Sequence, residues 1–469
     1  MDTTLKEKPN KWAVLGVMAF GTIMATLDGS IVNIALPTLR TELHTGDAVQ
    51  WIVLAYTIAT TSTLLIMGRV ADLVGRKKIY VGGYVVFTIA SLLCGISWDI
   101  YSLVGFRILQ GLGGSMLFSV APAIISETFE PHERGKALGI MGSSVALGSS
   151  LGPVIGGFLL EYMNWQSIFL VNIPLGIVAI WRTMVVLPYY DSISKQKFDF
   201  IGAGLFFVAL VVLLIGFHYG PEPLYGWGHP LVFGFIIAGI LGLGLFIKYE
   251  RSIDQPMLAL YIFKNRAFTS AVSATLIAFT ALGAHLFVFP FFLQQILHYS
   301  AKEAGLMLLS STITLSIMSP IGGILGDKFG AKNISTLGLI LVATGLLLLS
   351  PLNHTWQWTD IFWRLATLAF GFSIFQSPNS TAALNNAPAA QRGIASSMVS
   401  FNRNLGTIFG VAFGAALWYT VREHMIGSNT IQLADWAIQT PGMTLVYYCM
   451  AALVFVAAVI SYTRDSAKS

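Results

Sequence analysis

Charge is what this chain of 469 residues has least of, since Asp, Glu, Lys and Arg together make up only 10% of it. Soluble domains carry roughly a quarter, so an ordinary globular protein is excluded. Cysteine is nearly absent. Cys94 and Cys449 are the only two, both inside apolar stretches where a free thiol acts as a small hydrophobe, and no disulfide framework is implied. No His or Cys pair has metal-ligand spacing on a plausible helix face. No glycine-rich loop carries the Gly-Lys-Ser/Thr order of a phosphate cradle. No His, Asp or Ser constellation fit for catalysis stands on the apolar stretches. The expectation is therefore no enzyme, no cofactor and no metal. The net charge of +5 reads as topology and contact with anionic headgroups, not as a nucleic-acid surface.

What is present is oil. Hydrophobic residues make up 55% of the chain and mean hydropathy is +0.72. A bilayer core takes about 20 apolar residues per spanning helix, and such stretches begin near residues 12, 50, 78, 100, 136, 166, 200, 230, 267, 303, 333, 360, 393 and 442. The expected fold is an all-α polytopic membrane protein with 14 transmembrane helices. The first stretch is too long for a signal-peptide core and lacks a convincing cleavage site, so it reads as a retained helix. Most Lys and Arg fall on alternate connections, including Lys6, Lys8, Lys11, Arg69, Arg76, Lys77 and Lys78, while Arg40, Lys302 and Arg422 fall on the others. The positive-inside rule then places both termini in the cytoplasm.

An internal repeat organises the chain. "GRVADLVGRKK" from Gly68 returns as "GILGDKFGAKN" from Gly323, matching Asp72 to Asp327, Gly75 to Gly330 and Lys77 to Lys332. At nearly the same interval Arg107 in "RILQGLGGS" matches Arg364, and "RGKALGIMGSSVALGSSLG" from Arg134 matches "RGIASSMVSFNRNLGTIFG" from Arg392. The reading is a six-helix bundle over 1–187, two inserted helices within 188–250, and a connector with a second six-helix bundle over 251–469. Parallel repeated halves with a site near the midplane are a transporter architecture.

These motifs, with "LDGSIVNIALP" in the first span, "GSSLGPVIGG" in the fifth and "SIFLVNIPLGI" in the sixth, resemble the major facilitator superfamily. The first-span motif and the inserted pair are similar to its fourteen-helix drug/proton antiporter branch. The resemblance implies a proton-coupled exporter of amphiphilic, cationic drugs or other toxic compounds, working by alternating access as a monomer in a cell membrane. Its partners would be substrate, protons and the lipid bilayer. The alternative is an exporter of a dedicated endogenous amphiphile such as a lipid or pigment precursor. One departure is Ala331, which stands in the second loop where the first has Arg76.

Asp28 is the acid that lies well inside an apolar span. A charge at mid-membrane costs about 2.5–3.5 kcal/mol, so such residues face a wet cavity or a partner. A proton and an organic cation exclude one another at a single carboxylate, which is the simplest basis for antiport. The other reading is an Asp that caps backbone near Gly29 or pairs permanently with an Arg. Arg107 is the candidate partner: the resemblance implies that it helps release the proton, and otherwise it bonds helix-end carbonyls. In the loop motif Gly68, Asp72, Gly75, Arg76 and Lys77, the resemblance implies that Asp72 meets the positive end of the helix beginning at Gln391 to Gly393 and latches the cytoplasmic side. Gly148, Gly152, Pro153, Gly156 and Gly157 form a small-residue stripe, read either as close packing or, by resemblance, as a hinge.

Polar and aromatic residues offered for a largely apolar substrate wall are Asn33, Tyr56, Asn172, Phe289, Phe292, Gln294, Gln376 and Asn379, with Gln50 and Trp51 beside them. Arg403 serves either packing or an anionic substrate group. His285 is either a second proton site or a packing histidine. The inserted helices read as lipid-facing or structural, and Lys248 to Phe268 as a stretch lying along the membrane surface.

Overall fold

The computed structural model describes residues 10–44, 46–188, 198–220, 226–258, 260–388, 391–427 and 435–464. Lys6 and Lys8 lie outside the described residues. The described chain forms fourteen long helices: α1 (Lys11–Glu42), α2 (Trp51–Val74), α3 (Arg76–Gly95), α4 (Ile100–Thr128), α5 (Arg134–Tyr162), α6 (Ser167–Val186, interrupted at Val171), α7 (Phe200–Tyr219), α8 (Pro230–Glu250), α9 (Arg266–Phe291), α10 (Ala301–Phe329), α11 (Ala331–Leu349), α12 (Trp358–Asn385), α13 (Arg392–Gly427) and α14 (Asp435–Tyr462). Thirteen helices are long and apolar enough to cross a membrane, and α12 is the more polar fourteenth. Helices suit this environment because they satisfy every backbone polar group internally. Side chains close several ends: Asn10 accepts from Trp12 N, and capping boxes stand at Asp99 and at Ser300. The last helix starts at Asp435 instead of near 442, because its polar first turns carry no hydropathy signal.

The described chain divides into two compact units. One comprises residues 1–197 with 389–397, the other 198–388 with 398–469. In the first, α1 packs on α5, and α4 packs on both α2 and α3. The α1–α5 crossing is set by the glycine stripe. A Cβ on Gly148 would collide with Thr26 and with the Ile23 carbonyl, and one on Gly152 with Ser30 and the Ile31 amide. Gly156 meets Ile31 at ordinary contact distance. Ser30 Oγ donates to the Gly148 carbonyl at 3.2 Å. The stripe thus brings α5 onto the turns of α1 that flank Asp28. Gly157 faces open space and Pro153 is exposed.

The second unit builds its core from α9 to α14, with Phe289, Phe292, Leu339, Leu365, Trp418 and Tyr447 buried together. Its α13 repeats the α5 device. Cβ atoms on Gly406 and Gly410 would strike the carbonyls of Leu276 and Thr280, and Gly410 would also reach the Ala284 amide. Three residues before Ala284 stands the buried Ala281; three before Ile31 stands Asp28. Both units repeat the packing, and only the first places an acid on it. The inserted α7 and α8 pack on each other, and α7 sets Phe206 on Phe401 and Phe217 on Phe409 of α13. Their other faces leave Phe200, Val208, Phe233 and Leu241 exposed, a surface suited to lipid.

A test separates the stripe's members. Gly152→Ala forces a methyl onto Ser30 and Ile31 and is expected to cost about 1–3 kcal/mol, while Gly157→Ala should leave the thermal midpoint in detergent unchanged. Equal midpoints for the two variants would show that the crossing does not depend on Gly152.

Candidate functional site

Five helices of the first unit converge on Asp28, which is fully buried. Its Oδ2 accepts from Arg107 Nη1 at 2.7 Å, and its Oδ1 accepts from Gln110 Nε2 and Asn172 Nδ2, both at 2.8 Å. Arg107, also fully buried, donates from Nε to the Ile52 carbonyl at 3.0 Å. Its guanidinium lies 4.4 Å from the Tyr56 ring centre and 5.7 Å from that of Phe169. Gln110 clamps both sides of the ion pair, because its Oε1 accepts from Arg107 at 2.5 Å while its Nε2 serves Asp28 and Ser91. Arg107 Nη2 and Asn172 Oδ1 make no hydrogen bond among the described residues.

A charge pair this deep is stabilised only by close geometry and by further donors that complete the carboxylate, and the network supplies both. Two of its members escaped the sequence reading. Gln110 stands three residues after Arg107 in "RILQ", one helical turn on the same face, so its signal was available. Ser91 lies on α3, and nothing in its local sequence links it to Asp28. Asn172, expected on a substrate wall, donates to Asp28, and Tyr56 stacks on Arg107.

A second polar cluster lies at the α2–α3 turn. Gly75 has φ +106°, a left-handed conformation that favours glycine. Asp72 is fully buried and accepts from Arg76 Nη2 at 2.9 Å and from the backbone N–H of Gly393 and Ile394, both at 3.2 Å. It therefore caps α13 at its positive end, where a carboxylate is favoured. Arg76 also pairs with Glu127. Gly68 admits the first turns of α13, since a Cβ there would collide with Ser397 and lie 2.9 Å from the Gly393 carbonyl. Lys77 Nζ donates to the carbonyls of Met184 and Leu187 at the end of α6.

The remaining candidates are dispersed. Asn33 and Gln294 are exposed, and Gln376 and Arg403 are half-buried. Phe289 and Phe292 are buried in the core of the second unit, where Phe289 stacks on His285 with ring centres 5.0 Å apart. His285 Nδ1 lies 2.9 Å from the Tyr447 hydroxyl. Asn379 commits all its polar atoms within the unit: Nδ2 donates to the Ala271 carbonyl and to Thr275 Oγ1, and Oδ1 accepts from Arg464. Arg364, the repeat partner of Arg107, bonds the Leu348 carbonyl and stacks on Trp356 instead of meeting a buried acid.

Repeated helical packing, with a buried ion pair in the first unit, defines a multi-pass membrane protein, and the sequence comparisons make it a transporter and not an enzyme. The sequence profile of the Major Facilitator Superfamily matches residues 18–411 and again 271–469, and the chain belongs to that superfamily. It is 34% identical over 406 residues to the riboflavin transporter RibZ of Clostridioides difficile, covering 86% of this chain and 87% of that one. It is 32% identical over 429 residues to multidrug resistance protein 3 of Bacillus subtilis, covering 90% and 81%. Among solved structures, the human organic anion transporter MFSD10 matches with a TM-score of 0.68 at 14% identity, over 97% of this chain and 100% of the other, a likeness of fold.

The ion pair predicts a signature in stability. Arg107→Gln leaves a buried carboxylate without its counter-charge and should destabilise the detergent-solubilised protein by about 3–5 kcal/mol. Adding Asp28→Asn removes that orphan charge, so the double variant should be more stable than Arg107→Gln alone. Additive losses in thermal or chemical denaturation would mean that the two side chains do not depend on each other.

Proposed function

We propose that this transporter is a proton-coupled antiporter that exports amphiphilic, cationic compounds by alternating access. The observation that carries the reading is Asp28, a fully buried carboxylate whose charge is balanced by one cation, Arg107, and completed by two amide donors. A proton on Asp28 removes the charge that balances Arg107. The present ion pair and a protonated Asp28 therefore exclude one another, and loading a proton requires α1 and α4 to part. A cationic substrate is a second competitor for the same carboxylate. The α5 stripe grips α1 on either side of Asp28, so a bend of α5 near Pro153 would move the acid, which is how the hinge role enters this reading. Asp72, bonded to the first turn of α13, serves as the cytoplasmic latch. The distribution of Lys and Arg supports cytoplasmic termini and a cell-membrane location.

A second reading, export of one dedicated amphiphile by the same proton machinery, is favoured by Arg403. It forms no salt bridge among the described residues while standing within a span, as would suit a substrate with an anionic group, and one relative is a riboflavin transporter.

Two experiments test the proposal. In liposomes with an imposed proton gradient, Asp28→Asn should abolish export against a concentration difference. Wild-type protein in detergent should bind an organic cation less tightly as pH falls, releasing about one proton per ligand. Gradient-driven export that survives Asn at position 28 would assign coupling elsewhere. For the latch, Asp72→Asn should leave the protein folded and able to bind substrate while raising labelling of cysteines introduced at the cytoplasmic ends of α5 and α13. Unchanged labelling with normal transport would remove Asp72 from gating.

A further inference from the structure

A cavity of about 310 Å³ opens in the second unit where the connector turn Leu260–Lys264 meets the first turns of α9 and the end of α14. Its walls carry two cations, Arg266 and Arg464, four hydroxyl residues, Thr269, Ser270, Ser273 and Thr463, and the ring of Phe263. Among the described residues no acidic side chain lines it. Arg464 is buried, with 3% of its surface exposed, and its bonds go to neutral acceptors, Asn379 Oδ1 at 3.1 Å and Ser335 Oγ at 3.2 Å. No carboxylate pairs with it among the described residues, and burial pushes its guanidinium down to about 10. Of its five N–H donors these bonds engage two. Arg266 is exposed and has no ion pair or side-chain hydrogen bond among the described residues.

A buried cation balanced by no anion is an unfavourable arrangement that an anion relieves. The cavity is prepared for one. The carbonyl of Ile460, at the negative end of α14, is already covered by Ser270 Oγ at 2.7 Å, and Thr269 Oγ1 covers the Phe263 carbonyl at 2.6 Å. Ser273 makes no hydrogen bond among the described residues and keeps its donor. The position selects the kind of anion. The pocket sits at the ends of two membrane-spanning segments, Arg266–Ile296 and Trp436–Tyr462, and the connector beside it presents an exposed Tyr261 and Lys264. This is the level at which headgroups lie, and basic pockets between spanning helices suit them.

We propose that this pocket binds the phosphate of an anionic phospholipid headgroup, with Arg266 and Arg464 gripping the phosphate oxygens and Ser273 donating a third bond. The site is independent of Asp28 and of proton coupling. The test uses the purified full-length protein, delipidated in detergent and followed by native mass spectrometry and thermal midpoint. Phosphatidylglycerol should be retained over phosphatidylcholine by about tenfold, as charge-assisted bonds to arginine require. Arg266→Gln, on an exposed side chain that folding does not need, should bring the two lipids to near parity. Arg266→Lys should keep part of the preference, and Lys248→Gln, outside the pocket, should keep all of it. Stabilisation by millimolar inorganic phosphate without any by phosphatidylglycerol would keep the anion site but overturn its assignment to lipid. A preference unchanged in both Arg266→Gln and Arg464→Lys, or no preference in the wild type, would overturn the site itself.

Discussion

A carboxylate held inside a membrane is the constraint around which the first unit is organised. Asp28 needs a cation and enough donors to replace water, and these come from four other elements: Arg107 and Gln110 from α4, Asn172 from α6, and Ile52 and Ser91, which hold the arginine and the glutamine, from α2 and α3. Each donor fixes the position of its helix against α1. The ion pair therefore acts as a structural tie while it is intact. It is also a point of weakness, because a single proton removes the charge on which the tie depends.

The glycine stripes explain why the same fold can be chemically asymmetric. In α5 and again in α13, missing side chains at matched intervals let two backbones approach to contact, and the neighbouring helices are α1 and α9. Close packing of this kind needs no polar group, so the repeated halves can share it while differing in what they place beside it. The first unit has Asp28 and the second has Ala281 at the corresponding turn. Arg364 follows the same division: without a buried acid to meet, it turns to a carbonyl and to tryptophan rings. Among the described residues the buried Asp–Arg pair is thus confined to one half of a duplicated scaffold.

Much of this was legible in the residue order. Helix number and starts follow from hydropathy, since a span must be apolar over its length, and the polar first turns of α14 are where that signal fails. The Asp28–Arg107 pairing was a short step, because a membrane-buried acid requires a cation and few are available. The contact of Asp72 with the start of α13 is implied by family resemblance, and the structure makes it two hydrogen bonds from the backbone of Gly393 and Ile394. Asn172, Phe289, Phe292 and Asn379 were harder. A polar or aromatic residue on a span has the same local sequence whether it faces a cavity, a neighbouring helix or a buried charge. Contacts assign Asn172 to the carboxylate, the two phenylalanines to the core of the second unit, and Asn379 to a bracket between α9 and Arg464.

The sequence by itself determined the class of protein, the fourteen helices, the duplication and the identity of the buried acid, because those depend on composition, period and interval along the chain. Tertiary structure alone decided which donors complete Asp28, that the α5 stripe grips α1, and that Arg266 and Arg464 share a cavity. Those are distances between segments up to some two hundred residues apart in the chain, set by how helices pack, and no local pattern encodes them.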